Sequence, residues 1–83
     1  MKVHSSPVRL GELAVGATAR LHHADIEDST GRFLRAIGLT PTAHLRVCRR
    51  GEPCIIQVRS TRVGLARAVA DRILVVPVDT REV

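Results

Sequence analysis

The hydrophobic positions of this chain change period several times in a short span. From Ala17 to His23 they alternate, with Ala17, Ala19, Leu21 and His23 on one side and Thr18, Arg20 and His22 on the other. A period of two predicts a strand with one buried face. Alternation returns at Ala43–Arg49, where Ala43, Leu45 and Val47 point inward and His44, Arg46 and Cys48 outward. It returns again at Cys54–Arg59, with Cys54, Ile56 and Val58 inward, Gln57 and Arg59 outward, and Ile55 poorly placed among the outward set. Gly51-Glu52 separates these two segments as a turn, and Ser60-Thr61 marks another. Arg62–Leu65 reads as a short strand. Ile73–Val78 is a last strand that is apolar on both sides, which places it centrally or at a closure seam.

Between the first two strands the period lengthens. Leu34 and Ile37, with Phe33 beside them, give an i, i+3 stripe, and Asp28, Ser29 or Thr30 is placed to cap the helix that carries it. Gly38 is suited to the left-handed stop after such a helix. Leu39 would supply the apolar contact of that stop, and Pro41 forbids continuation. Leu10–Leu13 reads as a single helical turn, Ala66–Arg72 as one or two turns, and Ala24–Asp28 as a loop. Residues 1–8 read as loose apart from Val8, and Asp79–Val83 as a tail. Five short strands and a short helix form a mainly β fold, a small, partly open antiparallel barrel, because closure manages the edges a flat sheet would expose. At 83 residues the chain is one domain with its core over about residues 10–78. A chain of this size buries only about 60–65% of its unfolded surface.

Composition narrows the function. Phe33 is the sole aromatic residue. Grooves for proline-rich peptides are lined with aromatic rings, and single-strand nucleic-acid surfaces stack bases on them, so neither surface can be built here. Twelve of the thirteen basic residues are Arg, for a net charge of +5. From Ser29 to Ala70 there are eight Arg and one acid, Glu52, a local +7. Such a segment suits an acidic partner, RNA or an anionic surface; its plain alternative is a solvated Arg-rich face. Arg46 and Arg50 on the outer face, with Arg59 and Arg62 flanking the next turn, are expected to form one basic patch that binds the partner.

The order of these elements resembles the FeoA family, small cytoplasmic proteins of bacterial ferrous iron transport, whose domain also ends the DtxR-type metal-dependent repressors. The resemblance rests on Leu10-Gly11-Glu12-Leu13-Ala14-Val15-Gly16, on Leu34-x-x-Ile37-Gly38-Leu39-x-Pro41, on Glu52-Pro53-Cys54-x-Ile56-x-Val58, and on Val63-x-Leu65 followed by Ala70-x-x-Ile73-x-Val75. It implies an SH3-like five-stranded antiparallel barrel with short helices. It also implies a non-enzymatic accessory protein that docks on the cytoplasmic GTP-binding domain of the FeoB transporter and modulates it. Two departures stand out: Thr42 follows the proline where the family usually has glycine, and Arg49-Arg50-Gly51 replaces a longer hairpin loop.

Other chemistry finds little support. Neither G-x-G-x-x-G nor G-x-x-x-x-G-K occurs, which argues against nucleotide binding by this chain. Cys48 and Cys54 have no base or orienting group at a telling spacing, and no catalytic residues or cofactor are expected. Candidate metal ligands are His4, His22, His23, His44, Cys48, Cys54, Asp25 and Glu27. A structural zinc site needs four that converge, whereas Cys48 and Cys54, like His22 and His23, fall on opposite strand faces. His22 with Asp25 or Glu27 across the turn is the remaining option for weak transition-metal binding. Buried Cys54 reads as a small core hydrophobe. The first residues carry no apolar signal segment, and the longest aliphatic run, Ile73–Val76, is far short of a membrane span, so a cytoplasmic setting without membrane insertion is expected. A basic nucleic-acid-binding barrel and a metal sensor or chaperone remain the alternative functions.

Overall fold

The computed structural model describes residues 6–26 and 28–78. A six-stranded antiparallel sheet carries the fold: β1 (Val8–Arg9), β2 (Thr18–Ala24), β3 (His44–Arg49), β4 (Cys54–Val58), β5 (Thr61–Leu65) and β6 (Ile73–Val78), in the order β1-β6-β2-β3-β4-β5. Two short helices, α1 (Asp28–Ala36) and α2 (Arg67–Ala70), and a 3-10 turn at Leu10–Glu12 cover its ends. The sequence predicts five strands. The sixth, β1, has two residues and is held by Val8 opposite Val75 and Arg9 opposite Leu74, a pairing too short to leave a periodic signal.

Every strand places its alternate aliphatic residues on one inner face. Val47 sits opposite Ile56, and Ile56 opposite Val63, so three strands contribute one apolar row. Ile56, Val58, Ile73 and Val75 are fully buried, and Leu10, Leu34, Leu39 and Ala70 close the ends of the same core. Each fully buried aliphatic side chain of this kind contributes about 1.5–3 kcal/mol relative to exposure. β6 is central, as its two apolar faces predict: it pairs with β1 on one side and β2 on the other.

Two bulges correct the predicted faces. β2 runs in register with β6 as far as Leu21 opposite Val75, then resumes with His23 opposite Leu74, leaving His22 as the extra residue. One inserted residue reverses every following side chain. His23, expected inward, is therefore exposed, and Ala24 opposite Ile73 packs on the core in its place. In β3 the register shifts between Val47 and Arg49, so Cys48 is the extra residue there.

Helix α1 starts at Asp28, so its cap position precedes that residue and lies outside the described residues; Ser29 and Thr30 stand inside the helix rather than capping it. Its end follows the prediction. The N–H of Leu39 bonds to the carbonyl of Leu34 at 2.9 Å and that of Gly38 to Arg35 at 3.0 Å, with Gly38 at φ 106°. These are the paired bonds of a Schellman stop. Leu34 is buried and Ile37 half-buried, but Phe33, one step round the helix, is 51% exposed and lies outside the stripe. The Leu34–Pro41 corner is thus core packing on its inner side.

Candidate functional site

The outer face of β3, β4 and β5 gathers positive charge. Register places Thr18 opposite Arg46, Arg46 opposite Gln57, and Gln57 opposite Arg62, one row of side chains across four strands. Gln57 organises the row. Its Oε1 accepts from Arg62 Nε at 3.3 Å, and its Nε2 donates to the backbone carbonyl of Arg59 at 3.2 Å. Arg59 occupies the turn after β4 at φ 56°, and its side chain lies across Gly38 at the end of α1. Thr18, His44, Arg46, Gln57 and Arg59 line a shallow depression of about 240 Å³. Arg20, opposite His44, extends the exposed basic face by one row.

The structure brings Arg46, Arg59 and Arg62 together and sets Arg50 apart. Arg50 follows the Cys48 bulge and lies beyond the end of β3, where it lines a second depression with Gly11, Gly51, Cys54 and Arg67. The expected single patch is therefore two surfaces at opposite ends of the hairpin.

Charge neutralisation is confined elsewhere. Among the described residues the ion pairs are Arg9–Glu12 at 3.7 Å and Arg67–Asp71 at 4.0 Å, neither of which touches the basic face. Glu52, the one acid of the basic stretch, is directed away from it: Glu52 Oε1 accepts from the backbone N–H of Arg67 at 2.6 Å. This carboxylate caps α2, whose own cap residue, Ala66, has no side chain able to do so. Three arginines thus face solvent with no carboxylate opposed to them among the described residues, an arrangement that attracts an acidic macromolecular surface.

The remaining candidates among the described residues lie apart. Cys54 is buried, and burial pushes its thiol above the ordinary range despite the opposing charge of Arg50. Cys48 is half-buried in its bulge, with Sγ 3.9 Å from the carbonyl of Arg46. His23 and Asp25 line a depression with Asp71 and Arg72, which keeps a cation's charge among the ligands. Among the described residues no three His, Cys, Asp or Glu side chains converge as a metal would require. His4 and Glu27 lie outside the described residues.

This geometry defines a small SH3-like β domain with a basic sheet face. The model of the FeoA domain matches residues 8–77, and the chain belongs to the FeoA family. Its fold is similar to FeoA from Chlorobium tepidum, at 27% identity and a TM-score of 0.82 over 87% of this chain and 71% of that one. It is also similar to FeoA from Stenotrophomonas maltophilia, at 26% identity and a TM-score of 0.66 over 93% of each chain. That protein was solved with zinc and is described as a prokaryotic SH3-domain protein and a candidate ferrous iron transport activating factor. A manganese-dependent transcriptional repressor shares the fold at 22% identity and a TM-score of 0.76, over 92% of this chain and 44% of its own. No curated protein matches. The zinc of the Stenotrophomonas protein finds no converging ligand set among the described residues here.

The register explains what sequence reading missed. Gln57 and Thr18 carry no charge and no motif, yet they link Arg46, Arg59 and Arg62 into one surface. Their signal was present only in the outward phase of two strands.

Proposed function

We propose that this chain is a non-enzymatic accessory protein of bacterial ferrous iron transport that binds the cytoplasmic GTP-binding domain of FeoB and modulates it. Family membership supports the transport role. The observation that carries the docking reading is the row of Arg46, Gln57 and Arg62 with Arg59 at its end, its three arginines exposed and in no ion pair among the described residues. An acidic face on the GTP-binding domain is the complementary surface. Steering between opposed charges raises the association rate, and a few central arginines can dominate the affinity. In this reading Arg50 contributes little to the interface. No helix among the described residues is long and apolar enough to cross a membrane, and the proposed partner domain places the protein in the cytoplasm.

The test is a binding titration with the purified GTP-binding domain at low salt. Charge reversal at Arg46 and Arg59 should weaken binding at least tenfold, and GTP hydrolysis by the domain should change when the wild-type chain is added. Unchanged affinity for the reversed variant would remove the basic face from the interface. Titration with ferrous iron and with zinc under reducing conditions addresses the alternative of a metal sensor, in which heat at micromolar protein would be seen.

A further inference from the structure

The same hairpin carries a backbone feature that the docking reading does not use. β5 lies at the outer edge of the sheet and pairs with β4 alone. Among the described residues no strand and no loop hydrogen bond meets its other side. Val58 is opposite Thr61, so a two-residue turn, Arg59-Ser60, joins the strands, with Arg59 at the positive φ such turns use. The residues flanking a two-residue turn exchange both backbone hydrogen bonds, and the bonded positions then alternate. Thr61, Val63 and Leu65 therefore spend their N–H and C=O groups on β4, and Arg62 and Gly64 present theirs outward. Thr61, Arg62 and Gly64 are exposed, while Val63 and Leu65 anchor the strand in the core. The edge is rigidly held and open at once.

Charge decides what fits it. A second copy pairing through its own β5 would bring two Arg62 side chains, with Arg46 and Arg59 behind each, against one another, and like charges facing across strands are destabilising. A proline-rich ligand lacks both the backbone N–H groups to bond this edge and the aromatic groove such ligands use. An extended segment with acidic residues at alternate positions satisfies both features together: its main chain bonds Arg62 and Gly64, and its carboxylates face Arg62, with the positive charge of Arg59 and Arg46 behind it. We infer that the free edge of β5 accepts an extended acidic segment of a protein partner as a seventh strand. The inference rests on the docking reading only in taking the partner to be a protein that approaches this hairpin.

The probe is a capped eight-residue peptide of alternating glutamate and valine, titrated at low salt into the isotope-labelled chain. Amide shifts should centre on residues 61–65, and exchange of the Arg62 and Gly64 amides should slow at least tenfold. An analogue N-methylated at alternate positions keeps the charge and loses the bonding edge, and should bind at least tenfold more weakly. Gly64→Pro removes an outward N–H while leaving the bonds to β4, a place where edge strands tolerate proline; it should abolish protection with the fold retained by circular dichroism, and Gly64→Ala should bind as wild type. Equal binding by the methylated analogue, shifts at Arg46 without protection at Arg62 and Gly64, or no binding would each overturn strand addition. With the GTP-binding domain the two readings separate. If wild type binds and Gly64→Pro binds equally well, the edge inference fails and docking stands; if wild type does not bind, docking fails and the peptide alone decides the edge.

Discussion

Glu52 and Arg67 are joined by a 2.6 Å hydrogen bond from the backbone N–H of Arg67 to Glu52 Oε1. The bond spans fifteen residues and ties the β3–β4 turn to the start of α2. It gives the acid before Pro53 a structural task at the start of α2 and turns it away from Arg46, Arg59 and Arg62.

Removing this cap should be felt as stability. Glu52→Ala is expected to cost about 0.5–1 kcal/mol, within the range for lost helix caps. In a domain of this size each kcal/mol corresponds to roughly 4–8 °C in Tm. Thermal unfolding followed by circular dichroism measures it, and a Tm equal to wild type would show that the cap carries no weight.

Gly38→Ala should be more damaging than an ordinary Gly-to-Ala change in a helix. The residue sits at φ 106°, and a Cβ there would come within 2.6 Å of Arg59 Nε. The arginine end can move, so most of the cost, about 1–2 kcal/mol, comes from the left-handed backbone. A double-mutant cycle with Arg59→Ala separates the two causes. The coupling should be a minority of the loss, and a full rescue would assign it to the contact instead.

Adjacent residues of α1 should respond oppositely. Leu34 is 2% exposed and Phe33 51%. Leu34→Ala is expected to destabilise by about 2–4 kcal/mol through the cavity it leaves. Phe33→Ala should stay within about 0.5 kcal/mol, as surface changes do. Urea unfolding of both variants makes the comparison, and a large loss at Phe33 would contradict its placement.

Arg50→Glu provides the contrast that the basic face needs. Arg50 lines the depression shared with Gly11 and Arg67, away from Arg46 and Arg59. Its reversal should leave affinity for the GTP-binding domain within about twofold, whereas the same change at Arg46 should weaken binding strongly and flatten its salt dependence. Equal effects at the two sites would mean that net charge, not the face, governs association.

Cys54 predicts an alkaline loss of stability. Burial raises its thiol in the folded protein, whereas in the unfolded chain the thiol ionises in its ordinary range. The unfolded state therefore releases its proton first. The stabilisation is complete below the unfolded value and is lost as pH rises through the folded one. Tm should fall more steeply above about pH 8.5, the ordinary thiol value, for wild type than for Cys54→Val. Parallel profiles would exclude this thiol as the cause.

Alternation and turn chemistry were legible because they are local. The bounds of β6, the Gly38 stop with its Leu39 contact, and the inward set of β4 all follow from side-chain size and backbone freedom within a few residues. β1 was not legible, since two residues show no period and its pairing with β6 depends on a strand sixty-odd positions away. The His22 bulge was invisible for a related reason. Alternation through His23 was locally consistent, and only the packing of Ala24 opposite Ile73 selected the other phase.

The chain's own residues determined an aliphatic β domain of the FeoA family, a basic middle and the absence of an aromatic binding groove, because periodicity, composition and motif order are carried by the sequence itself. Which arginines share a surface was decided only on folding. Register across β2, β3, β4 and β5 joins Arg46 to Arg62 through Gln57, the Cys48 bulge sends Arg50 elsewhere, and Glu52 is taken up by the start of α2. Those are distances between residues remote in the chain, and they exist only once the sheet has closed over its core.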